Sequence, residues 1–240
     1  MDNENGNKMS FIEHLEELRI RIIKCLISVF VFFCISYFFS KQILGYVVKP
    51  IGKVVFISPQ EAFLSYMFLS FWVGLFVSSP IILFQIWRFM ATGLLKHERK
   101  SLLIYAPISF FLFACGVAFA FFVVLPIGVK FLLGFQTDFL EPMITVSRYI
   151  SFAGMFLLGF GIVFQLPIVI LFLTQVGWLS TLSLRHNRKY AILLIFIISA
   201  IFTPPDVISQ ILMAIPLVFL LEISTWIAVL FERKKRREKK

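Results

Sequence analysis

SFIEHLEELRIRII, residues 10–23, places the carboxylates Glu13, Glu16 and Glu17, together with His14, Arg19 and Arg21, just ahead of a stretch that carries no charge between Lys24 and Lys41. The junction reads as a water-facing helical collar that continues into a membrane helix. Ser10 and Glu13 form an S-x-x-E capping box, in which each side chain satisfies a backbone N–H of the first turn. The helix is therefore expected to start at Ser10 and to enter the bilayer unbroken. Glu13 and Glu17 share one face of it. Glu17 also precedes Arg21 by four residues, the spacing of an ordinary intrahelical ion pair.

Working outward, the chain is 60% hydrophobic and only 15% charged, against about 45–50% apolar and about 25% charged in ordinary soluble domains. The apolar runs recur along the whole length, so the expected class is an all-α polytopic membrane protein. A spanning helix needs about 20 predominantly apolar residues, and six stretches qualify or nearly so: 20–39, 65–87, 102–126, 149–174, 190–202 and 207–231. They are read as one membrane domain, 1–232, followed by a basic tail, 233–240. The fifth stretch rises only about 20 Å against a hydrocarbon core of about 30 Å. The fifth and sixth helices are expected to be the short members of a concave, kinked bundle. Pro80, Pro107, Pro126, Pro167 and Pro216 lie within or beside spans, and each removes a helical hydrogen bond and favours a kink.

The net charge of +10 would point to nucleic acid in a soluble protein, but here the cations flank hydrophobic spans and orient them. Lys8, Arg19, Arg21, Lys24, Arg88, Lys96, Arg99, Lys100, Arg185, Arg188, Lys189 and all the cations of the tail fall on one side. Only Lys41, Lys49, Lys53, Lys130 and Arg148 fall on the other. The positive-inside rule then puts both termini in the cytoplasm, and an even number of spans agrees. The polar first ten residues lead into an apolar run longer than a signal-peptide core and without a small-residue cleavage site, so no cleavage is expected. Cys25, Cys34 and Cys115 all lie in apolar segments, where a thiol behaves as a small hydrophobe. They imply neither a disulfide framework nor a metal site, and no cofactor is implied. The tail ERKKRREKK, beside a span, reads as an orientation determinant that contacts anionic lipid and not as a nucleic-acid site.

Enzyme chemistry finds no support: H-E-x-x-H and G-x-S-x-G are absent, and His14, His97 and His186 fall in separate connections. A small-solute transporter or channel is the alternative from another class. Such a protein needs ionisable groups near the midplane, and the polar residues within the spans are few: Gln165, with Asp206 and Gln210 toward the outer edge and Glu222 toward the inner one. The ionisable chemistry gathers instead on the cytoplasmic side. There Glu13, Glu16, Glu17 and Glu98 could bind a cationic partner, or could simply pair with Arg21, Lys96, Arg99 and Lys100 as solvated surface ions.

Several stretches resemble, in order, the TatC component of the twin-arginine protein translocase. HLEELRIRI at 14–22 is similar to the family's N-terminal signature, and ISPQEAF at 57–63 to its first external loop. SSPIILFQIWRF at 78–89 with KHER at 96–99 resembles its second helix and first cytoplasmic loop. AFFVVLPIGVKFLLGF at 120–135, YISFAGMFLLGFGIVFQLPIVI at 149–170 and TPPDVISQILMAIPLVFLLEI at 203–223 continue the likeness.

The resemblance implies a receptor for the twin-arginine signal peptides of folded exported proteins. Such a receptor would sit in a bacterial-type cytoplasmic membrane and assemble with small single-span TatA/TatB-type subunits, and with other copies of itself, into a translocase driven by the proton-motive force. Carried over residue by residue, it makes Glu17 and Glu98 the signal-binding carboxylates. Phe89 is the accompanying aromatic, and Arg19 of the N-terminal motif belongs with them. Asp206 and Gln210 match polar positions by the fifth and sixth helices, and Pro50 one in the first external loop. Gln165 stands where many members carry a glutamate, so any role there is expected to be polar and not ionic. The chemistry suits the ligand: a guanidinium needs planar acceptors, which carboxylates supply in bidentate, charge-assisted form, whereas lysine offers only a point charge.

Overall fold

The computed structural model describes residues 11–52, 54–92, 96–134, 136–137, 143–180, 186–202 and 207–238; the side chains of 11, 96–103, 231 and 233–238 are not included in the description. The chain is an all-α polytopic membrane protein. Its helices, in order, are α1 (Phe11–Phe38), α2 (Ser40–Val47), α3 (Pro59–Thr92), α4 (Lys96–Phe119), a π-helical turn (Ala120–Val124), α5 (Leu125–Leu133), α6 (Val146–Val163), α7 (Leu166–Val176), α8 (Arg188–Phe202) and α9 (Val207–Glu238). Among the described residues four helical stretches are long and apolar enough to cross a membrane by themselves: Pro59–Thr92, Ile104–Leu133, Val146–Val176 and Val207–Leu230. A fifth arises if Ile12–Phe38 and Ser40–Val47 together form one span. Helix α8, with 15 residues, is short, as its sequence suggests.

The prolines sort into two kinds. Pro80, Pro107 and Pro216 lie inside continuous helices. Pro126 and Pro167 instead sit in the first turn of new ones, α5 and α7, where a missing N–H costs nothing. Pro167 has no N–H to give to the Val163 carbonyl, so α6 stops at Val163 and the chain turns through Phe164 and Gln165 before α7 begins. Pro126 likewise cannot donate to Phe122. Just ahead of it the ladder slips to a wider turn, in which the Leu125 N–H reaches back to the Ala120 carbonyl. Such single π turns are one recognised way for a helix to absorb an irregularity.

Two boundaries differ from expectation. Helix α3 begins at Pro59, six residues before the expected span, because Ser58 caps it: the Glu61 N–H donates to Ser58 Oγ at 3.2 Å, and Glu61 Oε2 accepts from the Ile57 N–H at 2.9 Å. This is a capping box with proline at the first helical position, where φ is already helical. The last helix, α9, was expected to be short and is not. It runs 32 residues, because the charged residues after the apolar span are good helix formers. The expected cap at Ser10 lies outside the described residues.

The chain divides into two compact units. The first comprises Met1–Phe39 and Ser70–Phe110. In it α1 and α3 approach closely at Gly74, where a Cβ would stand 2.7 Å from the Phe33 backbone nitrogen, so only glycine fits. Buried Ser70, Ser78 and Ser79 are likewise small, as close helix packing in membranes favours. Trp87, also buried, donates its indole N–H to Ser109 Oγ at 2.6 Å and packs its ring against Tyr105.

The second unit comprises Ser40–Leu69 and Phe111–Lys240. Its core is built on α6 and α9, where Phe156, Phe160, Met213 and Leu217 are almost wholly buried. Helix α9 packs on α7 and α8. A Cβ on Gly161 would stand 2.5 Å from the Phe113 ring, so that ring fills the space a side chain would need. The loop after α2 and the start of α6 are tied by a two-residue bridge between Val55 and Thr145, with N–H···O distances of 3.0 Å each way.

Candidate functional site

In the first unit, α1 presents His14, Glu17 and Arg21, and the last turns of α3 present Gln85, Phe89 and Thr92. Both sets follow the three- and four-residue spacing that puts side chains on one helix face. The faces meet. The His14 ring stacks on Phe89, with centroids 4.5 Å apart and planes 20° from parallel. Arg21 donates from Nε to Glu17 Oε1 at 3.1 Å, and from Nη2 to the same oxygen. Its remaining nitrogen, Nη1, donates to Gln85 Oε1 at 3.0 Å.

Arg21 is 8% exposed, deep enough that its charge requires these partners. The Glu17 side chain is 21% exposed, yet its second oxygen, Oε2, is buried and accepts no hydrogen bond. The Thr92 hydroxyl lies close by and donates to the Phe89 carbonyl at 2.7 Å. Desolvation pushes the Glu17 carboxyl up, but the Arg21 guanidinium outweighs it, with further help from the nearby Thr92 hydroxyl and then from His14, and holds the carboxyl below the usual glutamate range. The cluster is thus an ionised, half-buried carboxylate with one oxygen saturated and one open.

Of the other residues singled out in the sequence, Arg19 is exposed on a different face of α1, two positions from both Glu17 and Arg21. Glu98 lies in the first turn of α4, and its side chain is outside the description. Asp206 lies outside the described residues. The remaining three belong to the second unit. Gln210 donates from Nε2 to the Phe196 carbonyl at 3.1 Å, joining α9 to α8. Gln165 occupies the break between α6 and α7, where its carbonyl accepts from the N–H groups of Ile168 and Val169. Pro50 sits in the turn after α2, just ahead of Gly52, whose φ is +89°. Glu222, on α9, pairs with Arg188 at the start of α8 at 2.5 Å.

The sequence reading missed Gln85 and Glu61. Gln85 is the lone amide in PIILFQIW, and a polar side chain in so apolar a run is itself a signal of a buried partner. Glu61 anchors a second cluster, in the second unit. Its Oε1 accepts from the Ser147 hydroxyl at 2.6 Å while Oε2 accepts from Ile57 N–H, and Tyr149 donates to the Val47 carbonyl at 2.8 Å. The Ser147 hydroxyl first, then the Ile57 amide, hold the Glu61 carboxyl below the usual glutamate range. The S-x-x-E spacing at Ser58 and Glu61 matches that at Ser10 and Glu13 and carries the same meaning.

Residues 13–216 match the family described as Sec-independent protein translocase protein (TatC). A Sec-independent protein translocase protein TatC from Carboxydothermus hydrogenoformans is 44% identical over 232 residues, covering 95% of this chain and 96% of that protein. TatCd of Bacillus subtilis is 38% identical over 228 residues, covering 95% and 94%. A crystal structure of the twin arginine translocase receptor TatC superposes with a TM-score of 0.82 at 38% identity, over 91% of this chain and 99% of the other.

Proposed function

We propose, because this chain belongs to the TatC family of Sec-independent protein translocase proteins, that it is the receptor subunit of a twin-arginine translocase and binds the signal peptides of folded cargo at a site centred on Glu17. The observation that carries the site is the open oxygen. Glu17 is kept ionised by Arg21 yet retains one buried acceptor without a partner, and an unsatisfied buried acceptor costs about 1–3 kcal/mol. An arginine side chain meets that need with a charge-assisted hydrogen bond, and does so with more geometric fit than lysine.

The His14–Phe89 stack forms an apolar wall beside the carboxylate, against which a planar guanidinium can lie. Glu98, in the first turn of α4, is the second carboxylate, one for each arginine of the pair. Arg19 and the other cations around them repel generic basic peptides, so only a ligand that places both arginines on the two acidic points offsets the repulsion. The family to which the chain belongs is a protein translocase, not an enzyme, and no residue here is assigned a covalent step.

The chain lies in a bacterial-type cytoplasmic membrane with both termini cytoplasmic, as the distribution of its Lys and Arg supports. Its partners are the signal peptides, single-span TatA/TatB-type subunits, further copies of itself and lipid, without nucleic acid. Gln210 and Asp206, by the fifth and sixth helices, serve the single-span subunits. Pro50 shapes the external loop, and Gln165 contributes a polar contact at a helix break. Photo-crosslinking in membranes tests the receptor assignment. A signal peptide carrying Arg-Arg crosslinks, and the Lys-Lys version, or a receptor with Glu17→Ala and Glu98→Ala, loses the product. Equal crosslinking in all cases refutes the assignment.

A further inference from the structure

Arg21 is held from two sides. Two of its nitrogens donate to a single oxygen of Glu17, and the third donates to Gln85 on α3. Buried as it is, the guanidinium has little access to water in compensation, so what it loses at one acceptor must be made up at the other. A ligand guanidinium engages a carboxylate most strongly through both oxygens at once. At Glu17 that arrangement is blocked while Arg21 saturates Oε1; only Oε2 is open.

We propose that Arg21 is a resident guanidinium occupying Glu17 in the empty receptor, and that Gln85 is the acceptor onto which Arg21 is handed when a signal arginine takes the carboxylate. This rests on the reading of Glu17 as a signal-binding residue. The exchange replaces one arginine on Glu17 by another of identical chemistry, so it gains little by itself. A ligand prevails only when its second arginine and its apolar segment add further contacts, and a lysine, which cannot match the bidentate geometry, does not dislodge the resident. Gln85 suits the role because a neutral amide accepts the displaced N–H yet holds it less strongly than a carboxylate, so Arg21 returns when the peptide leaves.

The test is an anisotropy titration of a dye-labelled twin-arginine signal peptide against the full-length chain in lipid nanodiscs, with thermal unfolding confirming that each variant is folded. Gln85→Leu removes the receiving acceptor, and binding weakens about tenfold. Gln85→Asn, which withdraws the amide by one methylene, weakens it in the same direction and serves if the leucine variant does not fold. Arg21→Leu removes the resident, and binding at neutral pH tightens about threefold or more. With Arg21 already leucine, Gln85→Leu has no further effect, because Gln85 acts only through Arg21. An undiminished Gln85→Leu effect in the Arg21→Leu background, or weaker binding in Arg21→Leu alone, overturns the proposal. Glu17→Gln separates the two levels. If it abolishes binding while the Gln85 variants behave like wild type, the handover is wrong and the site stands; if it leaves binding intact, both fall.

Discussion

Two glutamates in this protein sit in polar clusters of similar make-up and end in opposite states. Glu61, at the start of α3, accepts at both oxygens, from the Ser147 hydroxyl and the Ile57 amide, and lies beside the Val55–Thr145 bridge. Glu17, on α1, receives two donors from Arg21 on one oxygen and none on the other, which is buried. Both carboxyls are held below the usual glutamate range. A depressed carboxyl therefore does not by itself mark a binding site. The distinguishing feature is an acceptor left open where water does not supply a partner: a closed cluster ties the fold together, and an open one is available to a ligand.

The contrast is broken most sharply by making the same substitution in both places. Glu17→Gln is expected to weaken twin-arginine peptide binding about a hundredfold, two charge-assisted hydrogen bonds being lost, while Glu61→Gln leaves it within about twofold. Peptide titration of the two variants measures this directly. Comparable losses in both would erase the distinction drawn between them.

A pH series sharpens it. Because Arg21 holds the Glu17 carboxyl low, the charged form, and with it peptide binding, is present above the ordinary glutamate range and is lost only as the pH falls through the depressed value. In Arg21→Leu, desolvation loses its main opponent and only Thr92 and His14 remain against it, so the acid limb of binding moves to higher pH. An unmoved acid limb would mean that Arg21 does not control the ionisation of Glu17.

The smallest expected effect is at Ser147. Ser147→Ala deletes one donor to Glu61 and is expected to lower Tm by roughly 2–4 °C without altering peptide affinity, as differential scanning calorimetry and the same titration would show.

How much of this was legible beforehand can be followed residue by residue. The apolar spans, the short α8 and the breaks near Pro126 and Pro167 follow from local rules: helix length against bilayer thickness, and the missing proline N–H. The Glu17–Arg21 pair was legible because four residues separate them. The start of α3 at Pro59 was missed, although Ser58 and Glu61 carry the same local capping pattern as Ser10 and Glu13. Helix α9 outran its expected end because hydropathy reports where the membrane stops and not where helicity stops. Gln85 and Ser147 were not legible as partners, lying 64 and 86 positions from Arg21 and Glu61; the sequence marks Gln85 only as an amide out of place. The open oxygen on Glu17 was invisible to any pattern, because it depends on how three side chains from two helices divide their donors.

The most direct test of the account is a double-mutant cycle across the interface, titrating wild type and Glu17→Gln in nanodiscs with the Arg-Arg and the Lys-Lys signal peptide. If Glu17 reads the guanidinium, wild type prefers Arg-Arg by about tenfold or more and Glu17→Gln loses most of that preference, so that the two changes are far from additive. An undiminished preference in Glu17→Gln, or equal binding of both peptides to wild type, would contradict the claim that this carboxylate recognises the twin arginines.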